Sequence, residues 1–380
     1  MQIRDFGVEI WMNAYETKCK YNIAETCVYP LTVEELLDMS GQKEDALKTL
    51  CHTQMTYGDI EGAQALREEI AKLYETAAPD QVLTAHGAIG ANHLVMETIV
   101  ERGDHVISVL PTYQQHYSIP EALGADVSIL RLRAEQGWRP DLDELRSLMQ
   151  KNTKLICINN PNNPSGSIMD EDCLRAIVSI AKEYDAYVLC DEVYRGLNHE
   201  GDYFTKSIVD LYEKGISTGS MSKTFSLAGL RLGWIVSPKD LHENITKRRD
   251  YNTISCGVID EQLAALALKN KDKILSRNRA IVNENLAILD AWIQVQPHFH
   301  YVKPKAGTTA FVQFDYDMPS ETFCKRALDT CGVMLVPGTA LDVEGYLRFG
   351  YANKKEEVEK GLEELSAFVK TLSDVPLKKR

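Results

Sequence analysis

Between residues 80 and 237 short apolar runs alternate with amphipathic stretches, a pattern that predicts strands separated by helices. The runs Gln81–Ala85, His105–Leu110, Asp126–Leu132, Lys154–Asn159, Ala186–Asp191, Gly215–Gly219 and Leu232–Ser237 read as strands. Between several of them, Ala91–Arg102, Asp141–Met149 and Asp170–Tyr184 carry apolar residues at helical spacing. Strands joined through helices make βαβ units, so an α/β fold with a mainly parallel seven-stranded sheet is expected. Beyond Pro238 the pattern turns helical, with a long apolar-periodic stretch from Ile259 to Trp292. An α+β pattern follows: Thr309–Phe314, a helix through Cys324, Val333–Val336, Tyr346–Phe349 and a last helix, Lys354–Leu372. Three parts are expected: an N-terminal segment, 1–47, packing with the small domain; a large domain, 48–282; and a small C-terminal α+β domain, 283–380. Ligands on such sheets bind outside the carboxyl ends of the strands, so the loops leaving those ends are the place to look for chemistry.

A length of 380 residues exceeds what one hydrophobic core usually serves, which agrees with more than one domain. With 44% hydrophobic and 26% charged residues the chain is composed like an ordinary globular protein. Its formal net charge of -13 argues against nucleic acid or an anionic membrane as partner, because both need a basic face. Lys378-Lys379-Arg380 reads as a solvated basic tail. Nine cysteines, none spaced as Cys-x-x-Cys, suggest neither a disulfide framework nor a zinc site, and no metal is expected. Cys157 and Cys190 fall inside apolar runs and read as small buried hydrophobes. Met1 to Ile10 has no continuous apolar stretch, and no run is long enough to cross a membrane, so a soluble, cytoplasmic protein is expected.

Four polar segments follow or adjoin the strand-like runs. Asn159-Asn160-Pro161-Asn162-Asn163-Pro164-Ser165-Gly166 is a turn on its composition alone. Cys190-Asp191-Glu192-Val193-Tyr194-Arg195-Gly196 closes an apolar strand with a carboxylate. Burying that group is costly without a cation or metal, although such an Asp can also simply cap the next segment. Ser220-Met221-Ser222-Lys223 is followed eight residues after the lysine by Arg231. Alone, Lys223 is an ordinary surface lysine; with two hydroxyls and an arginine beside it, a phosphate clamp becomes the better reading. His86-Gly87-Ala88-Ile89-Gly90 ends a strand and opens a helix, and backbone N–H groups at a helix N-terminus bind phosphate.

In this order and spacing the segments resemble the class I/II aminotransferases, the fold-type I family of pyridoxal phosphate enzymes, by motif from roughly Tyr57 to Arg348. The resemblance implies that 48–282 is the cofactor-binding domain and that Lys223 carries pyridoxal 5'-phosphate as a Schiff base. It implies Asp191 beside the pyridine nitrogen, Tyr194 and Asn163 at the phenolic oxygen, and Tyr113, in Pro111-Thr112-Tyr113, stacked on the ring. Ser220, Ser222 and Arg231, with the backbone of Gly87, Ala88 and Ile89, match the phosphate cup. Tyr57, in Tyr57-Gly58-Asp59-Ile60-Glu61-Gly62, matches a tyrosine reaching the phosphate from a neighbouring subunit, which implies a homodimer with shared active sites. Arg348 matches the arginine that grips the substrate α-carboxylate, and Asn163 is expected among the substrate-binding residues as well.

The implied reaction moves an amino group from an L-amino acid to a 2-oxo acid, with Lys223, Asp191 and Tyr194 as catalytic residues. Two departures bear on the substrate. The family often has serine or threonine where this chain has Ala88, and no arginine can be assigned to a side-chain carboxylate of the substrate. Glu25 stands in Asn22–Tyr29, where relatives lay a loop over the substrate; it reads either as a solvated loop glutamate or as a contact to a polar or basic side chain. The segments from Glu9 to Leu36 and around Arg249-Asp250-Tyr251 are similar to the branch containing capreomycidine synthase. A C–S β-lyase, or elimination or cyclisation of an arginine-like substrate, therefore stands beside transamination. A non-catalytic pyridoxal phosphate-binding sensor is a further alternative, against which the acidic charge speaks.

Overall fold

The computed structural model describes residues 2–378; Met1, and Lys379 and Arg380 of the basic tail, lie outside them. The N-terminal segment supplies helices at Gly7–Tyr15 and Val33–Ser40 and one short strand, β1 (Tyr21–Asn22). The large sheet is built from β2 (Val82–Ala85), β3 (His105–Leu110), β4 (Asp126–Arg131), β5 (Thr153–Asn159), β6 (Tyr187–Asp191), β7 (Gly215–Ser220) and β8 (Gly233–Val236). Their order is β2-β8-β7-β6-β5-β3-β4, with β8 antiparallel to both neighbours and every other pairing parallel. Helices cover both faces of such a sheet, which is why β3 and β7 are buried at every position instead of alternating.

The expected elements are all present, with shifted ends. The helix opening at Ala91 begins at Gly87 and stops at Ile99, because the small residues Gly87-Ala88 show no apolar periodicity and Val100 is already extended. Asp141 and Asp170 sit one residue outside their helices as N-caps, and Asp170 Oδ1 accepts from the Cys173 N–H at 3.0 Å. The long stretch from Ile259 is two helices, Val258–Lys269 and Lys271–Gln294. They break at Asn270, whose side chain donates to the Leu266 carbonyl at 2.9 Å and competes with the helical ladder.

A second sheet, of β9 (Phe299–Tyr301), β10 (Thr309–Phe314), β12 (Val336–Pro337) and β13 (Tyr346–Gly350), runs antiparallel in the order β12-β13-β10-β9. The run Val333–Val336 is divided: β11 (Val333–Met334) leaves this sheet and pairs in parallel with β1. The N-terminal helix also bridges the cleft between the two sheets. On one side the Trp11 indole donates to the Leu335 carbonyl at 2.7 Å; on the other, the Gly7 N–H donates to Gln114 Oε1 at 2.9 Å. Lys378 is tied down, its ammonium 4.1 Å from the Phe314 ring centre, so this residue of the tail is not freely solvated. Among the described residues no helix is long and apolar enough to cross a membrane.

Candidate active site

The carboxyl ends of β5, β6 and β7 lie side by side, with Asn159 in register with Asp191 and Asp191 with Thr218. Above them a cavity of ≈ 330 Å³ is closed by the N-terminal helix. It brings together Lys223, Asp191, Tyr194, Asn163, Tyr113 and Arg348, residues up to 235 positions apart in the chain by their numbers (348 − 113). Ala88, Ile89, Ser220, Ser222, Arg231 and Glu25 line the same cavity. Gly87 is not on the wall, and Tyr57, 75% exposed, does not enter the cavity of its own chain.

Lys223 follows β7 closely and points back under the N-terminal loop, where its ammonium donates to Thr26 Oγ1 at 2.6 Å and lies 3.3 Å from Cys27 Sγ. Burial alone would lower its pKa, but Cys27, Tyr194 and Glu25 outweigh burial and hold the amine above the ordinary lysine range. Burial also pushes the Cys27 thiol up, so at neutral pH that sulfur is uncharged and Glu25 is the anion that remains. Glu25 is half-buried. Burial would raise its carboxyl, yet Lys223 and the backbone N–H groups of Cys27 and Thr26 hold it below the usual carboxylate range. Both N–H groups donate to Glu25 Oε1 at 2.7 Å, so this glutamate is built into the loop and is not a solvated surface residue.

Arg348 reaches the cavity from the small sheet, only 2% exposed. Its Nη2 donates to the Ala24 carbonyl at 3.2 Å and its Nη1 lies 3.5 Å from Asn163 Oδ1, while Nε has no partner. Burial lowers its pKa, as expected for a guanidinium withdrawn from water, and a buried guanidinium lining a cavity without a carboxylate bonded to it is a place for an anion. Asn163 is fixed through its backbone, whose N–H donates to Asn159 Oδ1 at 2.7 Å; Asn159 Nδ2 donates in turn to the Asp191 carbonyl at 2.9 Å. Tyr113 donates from its hydroxyl to Glu9 Oε1 at 2.7 Å and packs against Phe6, ring centres 4.7 Å apart. Burial and the Glu9 carboxylate raise its pKa, so the ring stays a neutral phenol.

Two residues around Asp191 carry no signal in the sequence. Asn92, on the helix Gly87–Ile99, donates to Asp191 Oδ2 at 2.8 Å and accepts from Thr218 Oγ1 at 2.7 Å. His116, fully buried, holds Nε2 3.4 Å from the same Oδ2, with Nδ1 3.2 Å from Thr112 Oγ1. Each lies inside a helix and becomes part of the site only through the packing of that helix on the sheet. At the other end of the cavity, Arg231 adopts φ 48 and donates to the Ala228 carbonyl at 2.9 Å. Gly87 has φ +67, and a Cβ there would come within 3.2 Å of Arg231 Nη2, so the backbone behind the wall and the guanidinium on it lie against each other at the helix N-terminus.

The family model for aminotransferase class I and II matches residues 28–365, and the chain belongs to that family. Capreomycidine synthase of Streptomyces vinaceus is 29% identical over 364 residues, 94% of this chain and 92% of that one. Aspartate aminotransferase of Pyrococcus horikoshii is 30% identical over 326 residues, 83% of each chain. Among solved structures, a PLP-dependent aminotransferase from Streptococcus suis 89-1591 superposes with a TM-score of 0.94 at 46% identity, covering 98% of this chain and 99% of that one. The fold is fold-type I, and the family's cofactor is pyridoxal phosphate. The cavity fits that group, since its lining combines an amine, a buried carboxylate held by Asn92, and two serine hydroxyls with Arg231 next to a helix N-terminus.

Proposed function

We propose that the protein transfers an amino group from an L-amino acid to a 2-oxo acid, with Lys223 holding pyridoxal phosphate. The observation that carries this reading is the meeting, in one cavity, of the Lys223 amine with the buried Arg348 whose Nε is unpartnered. A substrate carboxylate held on Arg348 would leave its amino group inside the space that Lys223 shares. Bound pyridoxal phosphate supplies the electron sink for breaking bonds at the substrate Cα. Asp191 would hold a proton on the ring nitrogen, since an anion beside a cation favours the charged form. Tyr194 and Asn163 would donate to the phenolic oxygen, and Tyr113 would lie against the ring. Ser220, Ser222, Arg231 and the backbone at Gly87, Ala88 and Ile89 would hold the phosphate. Lys223 Nζ would carry the proton to and from Cα, a contribution on the order of 10²–10⁴-fold. Arg348 would grip the α-carboxylate through its planar fork and so orient the Cα–H bond. The exposed Tyr57 would reach the phosphate of a second copy, making a two-fold dimer the working unit.

Elimination or cyclisation of an arginine-like substrate is the second reading, favoured by the similarity to capreomycidine synthase along nearly the whole chain. One experiment separates the two. The loaded enzyme is given amino acids labelled at the amino nitrogen together with a 2-oxo acid. Transamination carries the label into the amino acid formed from the acceptor. Label recovered only as ammonia, or retained in a cyclised product, would overturn it.

A further inference from the structure

The wall facing Arg348 is acidic. Along the N-terminal helix, Glu9, Asn13 and Glu16 lie at a spacing that puts them on one helical face, and all three line the cavity with Glu25 from the following loop. The hydrogen bonds of these carboxylates run to neutral donors: Glu9 accepts from the Tyr113 hydroxyl, and Glu25 from two backbone N–H groups. Glu16, at the exposed mouth, has its carboxyl raised by burial and by the like charges of Glu25 and Glu9, so the three sense one another.

A second, independent feature shows that the cavity is made for a charged ligand. Arg348 is 2% exposed, lines the same space and has no carboxylate bonded to it, its Nε being buried and unpartnered, which makes it a site for an anionic group. Of the remaining charges, Asp191 and Arg231 are taken up by the two ends of the cofactor in the reading above, and Lys223 by its attachment. Glu9, Glu16 and Glu25 are then a surplus of negative charge beyond the α-carboxylate site. A neutral or acidic side chain would leave that surplus uncompensated, whereas a cation would relieve it.

We infer that the carboxylates of Glu9, Glu16 and Glu25 form a side-chain subsite that selects an amino acid bearing a distal cation, a guanidinium or an ammonium. The inference rests on the proposed amino-acid-binding role of the cavity but not on which reaction follows. Glu25 is half-buried and bonded to the backbone of its own loop, whereas Glu16 is exposed at the mouth, where the end of a long side chain would lie. The missing arginine for an acidic side chain, noted in the sequence, agrees with this polarity.

The test is a titration of the cofactor-loaded enzyme with L-arginine, L-ornithine, L-norleucine and L-glutamate, following the absorbance of the bound cofactor, with released products analysed separately. The expected result is at least about 100-fold tighter binding of one cationic amino acid than of L-norleucine, and weaker binding still of L-glutamate. In Glu16→Gln and in Glu25→Gln the ratio of cationic to neutral affinity falls about tenfold or more in each. Equal affinity for L-norleucine and the cationic amino acids, or a ratio unchanged in both variants, overturns the inference. Cationic preference without transfer of the amino group upholds the subsite and sinks the transaminase reading; transfer without the preference does the reverse.

Discussion

Arg348 shows how much of the site depends on single groups. Its guanidinium is buried, bonded to the Ala24 carbonyl, and leaves Nε unpartnered beside the cavity that the residue lines. Arg348→Lys keeps the charge and loses the fork, so kcat/KM for every amino donor should fall about 10²-fold, the effect of losing one charge-assisted pair of hydrogen bonds. Steady-state kinetics checks this, and an unchanged kcat/KM contradicts a role in carboxylate binding. At this scale the sequence is legible where chemistry sits directly after a strand: Asp191 and Lys223 follow apolar runs that demand a reason for a charge at their ends. It is illegible where a residue acts through packing. Asn92 and His116 look like ordinary helical residues, and Glu9 and Glu16 like a solvated face, until the fold brings them to Asp191 and to the cavity. Glu25 lies between these cases, since its place in the loop was readable but its bonds to the Thr26 and Cys27 backbone were not.

Among the elements, the helix Gly87–Ile99 does two things at once. Its first residues face the cavity near Arg231, and its second turn presents Asn92 to Asp191. Gly87 is the hinge of this arrangement: φ +67 is strained for any residue with a Cβ, and that Cβ would press on Arg231 Nη2 at 3.2 Å. Gly87→Ala should therefore cost roughly 1–2 kcal/mol of folding stability through backbone strain, and by displacing the Arg231 guanidinium it should weaken pyridoxal phosphate binding about tenfold. Equilibrium titration of the apoprotein with the cofactor, and with inorganic phosphate as a probe of the cup alone, would show the loss in both. Weakening for neither would remove the cup from this helix terminus. The helix start is not legible to the residue, because Gly and Ala carry no polar–apolar pattern; the break at Asn270 is hidden for a different reason, since apolar periodicity continues across it while the Asn270 side chain bonds to Leu266. The division of Val333–Val336 is equally invisible in four apolar residues that serve two sheets.

Across the whole molecule, the two sheets are stitched by polar groups as well as by apolar packing. His199, in the loop beyond β6, meets Asn283 of the long helix at 3.0 Å through Nδ1 and Tyr351, just after β13, at 3.0 Å through Nε2. Asn283 Nδ2 donates to the His199 carbonyl, leaving Oδ1 as acceptor for Nδ1–H, so the neutral imidazole satisfies both partners. Burial pushes its pKa down to about 4 from 6.5. As pH falls through 6.5 the unfolded chain takes up a proton that the folded chain refuses until about 4, so stability is full above this window and is lost on descending through it. The loss amounts to roughly 3 kcal/mol. Thermal unfolding at pH 7 and pH 4.5 should show a larger drop in Tm for the parent than for His199→Gln; equal drops would discard this account. At this scale the sequence was most informative, because alternating strands and helices define the large sheet. The way the N-terminal helix closes the cleft could not be read from it, since contacts to Gln114 and Leu335 depend on the finished fold.

Everything proposed for the cavity turns on Lys223 holding the cofactor. Borohydride reduction of the loaded protein fixes any lysine-bound pyridoxal phosphate irreversibly, and peptide mass mapping then locates it. A single phosphopyridoxyl group is expected on Lys223, absent when the reduction is repeated on Lys223→Ala; the group on another lysine, or on none, would rule out Lys223 as the attachment point.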